Sequence, residues 1–143
     1  MGTARACCVG LAVALSTMVA AAPSAAAETE VVRAITENAG IKQIVGTDLA
    51  SVTSRFFDPR THKEIGRNVG YCVTAPSGEQ MCTTTVFLPR GQLALVGVYS
   101  AASKVIIPIV GGSGHYADAG GYADIRPRGP MGSNAKFVIY THR

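Results

Sequence analysis

The alternation of apolar and polar residues divides this chain into short segments, each closed by glycine, proline or a polar cluster. LASVTSRFF, at 49–57, reads as a strand ended by Asp58-Pro59-Arg60-Thr61. Residues 65–75 and 79–88 flank Pro76-Ser77-Gly78 and read as a hairpin. Pro89-Arg90-Gly91 turns the chain into QLALVGVYS at 92–100. Residues 104–110, 122–126 and 135–142 follow as strands, the last two separated by the turn-rich PRGPMGSN. β-branched and aromatic residues at this even spacing predict an all-β fold, an antiparallel barrel or sandwich. The stretch 31–44 fits either an N-terminal strand or a short helix.

The later strands are apolar on both faces. Leu93 and Leu95 oppose Val96 and Val98, Phe137 and Ile139 oppose Val138 and Tyr140, and VIIPIV at 105–110 has no polar face at all. An antiparallel sheet with one wet face should alternate apolar with polar. A barrel lumen accounts for one apolar side. The other needs a helix or a partner, and no long amphipathic helix is available. A homo-oligomer, dimer or trimer, packed on barrel exteriors is the expectation.

Composition sets the compartment. Arg5, the small and apolar run 6–22, Pro23 and then Ala25-Ala26-Ala27 make a basic, apolar and A-x-A sequence, the pattern of a cleaved secretory signal over 1–27. Removing those 27 of 143 residues leaves 116, one domain in size. The expected organisation is a signal at 1–27, an N-terminal segment at 28–45 and a barrel domain at 46–143. Without Arg5, 12 of the 13 basic side chains remain against 9 acidic ones. That mild excess is spread along the chain and forms no basic stripe, so no nucleic-acid partner is expected. No later stretch is long and apolar enough to span a membrane as a helix, and stable insertion is not expected.

Cys72 and Cys82 are the two cysteines left after the signal, and in an exported chain an even pair reads as a disulfide. Taking 76–78 as a three-residue loop, Ala75 faces Glu79, Val73 faces Met81 and Cys72 faces Cys82. Opposed residues carry side chains on one face, close enough to bridge. The alternative, a thiolate metal site, lacks further ligands. His62, His115 and His142 show no ligand spacing, and no metal is expected.

Gly112-Ser113-Gly114-His115-Tyr116-Ala117 satisfies G-x-G-x-x-A, the fingerprint of a dinucleotide-binding turn. Its context excludes that function. Gly120-Gly121 closes the segment at once, and Asp124 comes too early for the ribose-binding acid. The same residues resemble another family. Gly111, Gly112, Ser113, Gly114, Tyr116, Ala119 and Gly121 match the G-G-T-G-x-[YF]-x-x-A-x-G segment of dirigent proteins and of the allene oxide cyclase barrel-like family. Gly46 and Asp48, Phe57-Asp58, the glycines around Cys72 and Cys82, and LPRGQL at 88–93 agree in order. Ser113 stands for threonine, and Gly120 stands where the plant proteins often carry arginine. The resemblance implies an eight-stranded antiparallel β-barrel, often dimeric or trimeric, with a lumen for an apolar small molecule and no cofactor. It implies chemistry by confinement: cyclisation, isomerisation or stereoselective coupling. In this reading the glycine segment is a tight corner packed by Tyr116, with His115 exposed.

No nucleophile–base pair is visible. Within a barrel, polar groups on otherwise apolar walls carry the chemistry. Asp48 is a candidate acid or base, Arg55 a candidate oxyanion partner with an outward-pointing side chain as its alternative, and Tyr99 a third catalytic candidate. Tyr71 and Tyr140 are candidate ligand contacts, with a core or interface role as the alternative for each tyrosine. Three functional classes remain open: a cofactor-independent cyclase or dirigent-type enzyme, a carrier of an apolar small molecule, and a structural or interaction barrel. Export weakens the biosynthetic version of the first.

Overall fold

The computed structural model describes residues 27–44, 46–99, 103–129 and 132–142. Its eight strands are β1 (Ala27–Gln43), β2 (Leu49–Phe57), β3 (Glu64–Thr74), β4 (Gln80–Leu88), β5 (Gly91–Tyr99), β6 (Val105–Gly114), β7 (Gly120–Pro127) and β8 (Gly132–His142). Each pairs antiparallel with the next, and β1 pairs with β8 to close the barrel. The all-β, eight-stranded antiparallel barrel expected from the sequence is the fold. Closure gives every strand a neighbour on both sides.

The N-terminal stretch resolves as strand. The segment 28–45, set apart from the barrel in the sequence reading, forms most of β1 and pairs with β2 on one side and β8 on the other. Val32, Ala34 and Thr36 turn inward while Arg33 and Glu37 face water. A register shift between Asn38 and Gly40 is a bulge, which bends a strand long enough to serve two neighbours. The export signal expected at 1–27 lies outside the described residues except for Ala27, the first residue of β1.

The cysteine hairpin forms in the expected register. Cys72 faces Cys82, Val73 faces Met81, and the two sulfurs are bonded. Ala75 N donates to Glu79 O at 2.8 Å, and Gly78 takes φ +87°, the left-handed conformation the loop requires.

The glycine corner differs in one respect. Gly111–Gly114 do not leave the sheet; they extend β6 and pair with β5, Gly112 opposite Leu93. The turn itself is His115–Asp118, closed by Tyr116 N to Ser113 O at 3.2 Å and Ala119 N to Tyr116 O at 3.1 Å. Gly112 is required by close approach: a Cβ there would collide with the carbonyl oxygens of Tyr116 and Gln92. The Gln92 carbonyl is brought there by the β5–β6 ladder, and the Tyr116 carbonyl by the turn, which folds Tyr116 back under the barrel, where it is 2% exposed.

The barrel therefore has two unlike ends. At one lie the chain ends, the β2–β3 loop, the β4–β5 turn and the β6–β7 turn. There Leu88, Leu93, Ile109, Phe137, Ile139 and Tyr116 fill the interior in one buried cluster. At the other end lie the β1–β2 and β3–β4 turns and the connections after β5 and β7.

Candidate functional site: the barrel lumen

Eight strands enclose an interior just wide enough to be filled by side chains or to hold one small ligand. This barrel does both, in different halves. Below the β3–β4 turn a cavity of about 250 Å³ runs inward from the strand ends. Around its outer part stand Ala50, Cys72, Gln80, Cys82 and Tyr99; Phe56 and Phe137 form the floor, in edge-to-face contact at 5.5 Å between ring centroids. Small residues on the walls create the space. Ala50, Ser54, Cys72, Cys82, Thr84 and Ser133 point inward where larger ones would fill the lumen.

The polar groups of the wall are neutral. Thr36, Ser54, Asn68, Gln80, Thr84, Tyr99 and Ser133 supply them, and among the described residues no Asp, Glu, Lys, Arg or His lines the cavity. Thr36 is already engaged: its Oγ1 donates to Ser133 O at 3.2 Å and accepts from Ser133 N at 3.0 Å, tying β1 to β8. The disulfide is itself part of the wall, its two cysteines 3% and 4% exposed.

The residues singled out in the sequence separate. Tyr99, at the end of β5, lines the cavity. Tyr71 and Tyr140 point outward and are 49% and 39% exposed, so the lumen does not include them. Arg55 also faces outward. It donates from Nε to Glu64 at 3.1 Å and lies 5.3 Å from the Phe57 ring centroid. Hydrogen bonding to Glu64 raises the Arg55 pKa and holds the Glu64 carboxyl below its ordinary value. Asp48 is exposed in the β1–β2 turn, where its carbonyl accepts from Thr74 N at 2.9 Å. These five residues do not form one site. The phase of β3 explains Tyr71. Its apolar residues Val69, Tyr71 and Val73 are on the outside, and the lumen side carries Asn68, Gly70 and Cys72.

A second polar cluster sits beneath the filled end. Glu30 accepts from Tyr116 Oη at 3.3 Å and pairs with Arg90 at 3.2 Å, with His115 Nε2 at 3.6 Å. His115, expected to be exposed, is largely covered, its side chain 19% accessible. Burial, then the Glu30 charge, pushes the Tyr116 phenol above its ordinary value. This cluster fastens the start of β1 to the β4–β5 and β6–β7 turns and does not reach the cavity lining. Among the described residues, no group of three or more His, Cys, Asp or Glu is placed to hold a metal ion.

A closed barrel with a small hollow lumen is an architecture shared with proteins that act on small molecules. No family model matches the chain, and no curated protein matches it in sequence. Solved structures do. A pterocarpan synthase dirigent protein, GePTS1, superposes with a TM-score of 0.71 over 91% of this chain and 97% of its own, at 13% identity. The pterocarpan synthase dirigent protein PsPTS1 gives 0.60 over 81% and 96%, at 11% identity. A pyocyanin demethylase gives 0.65 over 77% and 99%, at 15% identity. The chain thus has the dirigent-type barrel fold, as its glycine segment and cysteine hairpin suggested. At these identities the likeness is one of fold.

Proposed function

We propose that this protein receives an uncharged, mainly apolar small molecule in the open half of its barrel. One observation carries the reading: an inward cavity of about 250 Å³ whose walls, among the described residues, contain no charged side chain. Cavities of this kind bind by shape and apolar contact, with a few polar groups fixing orientation. An engineered apolar cavity of about 150 Å³ already accommodates benzene, so the larger space here suits a two-ring or compact terpenoid-sized molecule. The similar structures support this use of the fold, since both types are named for reactions on small molecules.

A second reading, that the lumen also directs a reaction, is favoured by Tyr99, the one titratable side chain of the wall among the described residues. A phenol donor together with confinement suits a cyclisation, isomerisation or stereoselective coupling that needs no cofactor. In the carrier reading the same cavity holds its cargo unchanged. The disulfide is compatible with an oxidising, extracellular setting, and export is part of the proposal. So is self-association. Val69, Tyr71, Val73, Met81, Val98 and Ile106 form an exposed apolar face over the neighbouring strands β3–β6, and a second copy of the chain would cover it.

Mass spectrometry of small molecules extracted from the purified protein tests the central claim. A neutral apolar compound released on unfolding, at near-stoichiometric yield, is the expected result. A protein that neither carries such a compound nor binds an apolar fluorophore would overturn it. Conversion of a supplied precursor, abolished in Tyr99→Phe with binding retained, would select the enzyme over the carrier.

A further inference from the structure

We infer that the molecule held in the lumen carries a hydrogen-bond donor, a hydroxyl or N–H on an otherwise apolar frame, and that Asn68 is the residue that recognises it. The inference rests on the lumen reading above and specifies its ligand. Among the described residues, Asn68 Oδ1 is the buried side-chain polar atom that has no hydrogen-bond partner. Asn68 itself belongs to the cavity wall, and a turn of its amide about χ2 brings that oxygen to the lumen. Across the sheet Asn68 is flanked by Ser54 on β2 and Val86 on β4, both on the same inner face.

The barrel has donors nearby that never reach this oxygen. Arg67, the preceding residue, faces outward and lies 4.8 Å from the Phe87 ring centroid. Arg55 faces outward too and is held by Glu64. Strand alternation sends the guanidiniums of β2 and β3 to the outer face and leaves the amide inside among neutral neighbours, with Ser54 across from it. A buried amide oxygen is costly without a donor, and that cost is removed by any ligand that brings one. An ether or hydrocarbon of the same shape leaves it in place. This is the condition under which a pocket rejects an analogue lacking the hydroxyl. Anions are disfavoured, because among the described residues no cation lines the wall.

The test uses the purified full-length protein and three probes of nearly one shape: naphthalene, 2-methoxynaphthalene and 2-naphthol, the last kept neutral. Affinities are measured by calorimetry or fluorescence for the wild type and for Asn68→Leu. The wild type should prefer 2-naphthol to 2-methoxynaphthalene by about tenfold, equivalent to about 1.4 kcal/mol. Asn68→Leu should bind naphthalene at least as well as the wild type and lose the preference to within about twofold. Asn68→Val serves the same comparison if the leucine variant does not fold. Naphthalene binding without a hydroxyl preference, or a preference that survives the substitution, would overturn the role of Asn68 and leave the lumen reading intact. Failure of the wild type to bind any of the three would overturn both.

Discussion

The two ends of this barrel are made from the same eight strands and differ in what those strands put inside. At the filled end the inward positions are Leu88, Leu93, Ile109, Phe137 and Ile139, with Tyr116 folded under them by the β6–β7 turn. Toward the open end the same strands offer Ala50, Cys72, Cys82, Thr84 and Ser133. Each strand pairs with both of its neighbours, so both halves belong to one closed sheet. Side-chain volume therefore decides where the lumen is hollow, and one end carries the packing while the other is free to be a site. The division also explains the disulfide's position. A wall of small residues packs against little, and a covalent bridge between adjacent strands replaces the contacts that large side chains would make.

The sharpest contrast is expected at Gly112. Substitution to valine drives a side chain into the carbonyls of Tyr116 and Gln92 and should cost more than about 4 kcal/mol, preventing recovery of folded protein. A normally folded Gly112→Val, judged by circular dichroism and thermal melting, would mean that the filled end is not rigid. Next come matched truncations. Leu93→Ala, at a residue 0% exposed, should lose about 3 kcal/mol in denaturant unfolding. Val52→Ala, which only widens an existing cavity, should lose less than about 1 kcal/mol. Equal losses would erase the distinction between the ends. Replacing both Cys72 and Cys82 by alanine should cost about 2 kcal/mol, appropriate to a short closed loop, and should loosen ligand binding more than Leu93→Ala does.

The smallest effect is a pH dependence confined to the filled end. The Tyr116 pKa is raised from its ordinary 10.0, chiefly by burial, so the folded state holds this proton more tightly than the unfolded chain. Its contribution is fully present below the ordinary value and is lost as pH rises through the folded value. Melting temperature should therefore fall more steeply above about pH 10 in the wild type than in Tyr116→Phe. Identical slopes would show that the phenol is free to ionise in place.

Much of the fold was legible because local chemistry fixed it. Leu49–Phe57 is bounded by a leading turn and by Asp58, whose Oδ1 accepts from Arg60 N and Thr61 N at 2.9 and 2.8 Å, and the strand has the expected limits. Pro76-Ser77-Gly78 set the register that brings the cysteines together. β1 was harder to read, since its inward residues Val32, Ala34 and Thr36 diminish in hydrophobicity along the strand. A helix and a strand then look alike over 31–44. Gly111–Gly114 did not read as strand because three of the four residues are glycines, with no side chains to alternate. The site was less legible than the fold. Strands apolar on both faces do not reveal which face is inside, and β3 inverts the usual rule by exposing Tyr71 and enclosing Asn68. The phase was available from charge: Arg55 and Arg67 require water, which sends Ser54, Asn68, Gly70 and Cys72 inward.

The pairing of Ala27 with His142 puts both ends of the described chain beside one another at the filled end. A bead, a surface or a second domain joined through either would hold the barrel by its base, with the mouth turned away from the attachment. Immobilised in that orientation, the protein would stand as a cup on a stem, and a cargo could enter or leave without the anchor crossing its path.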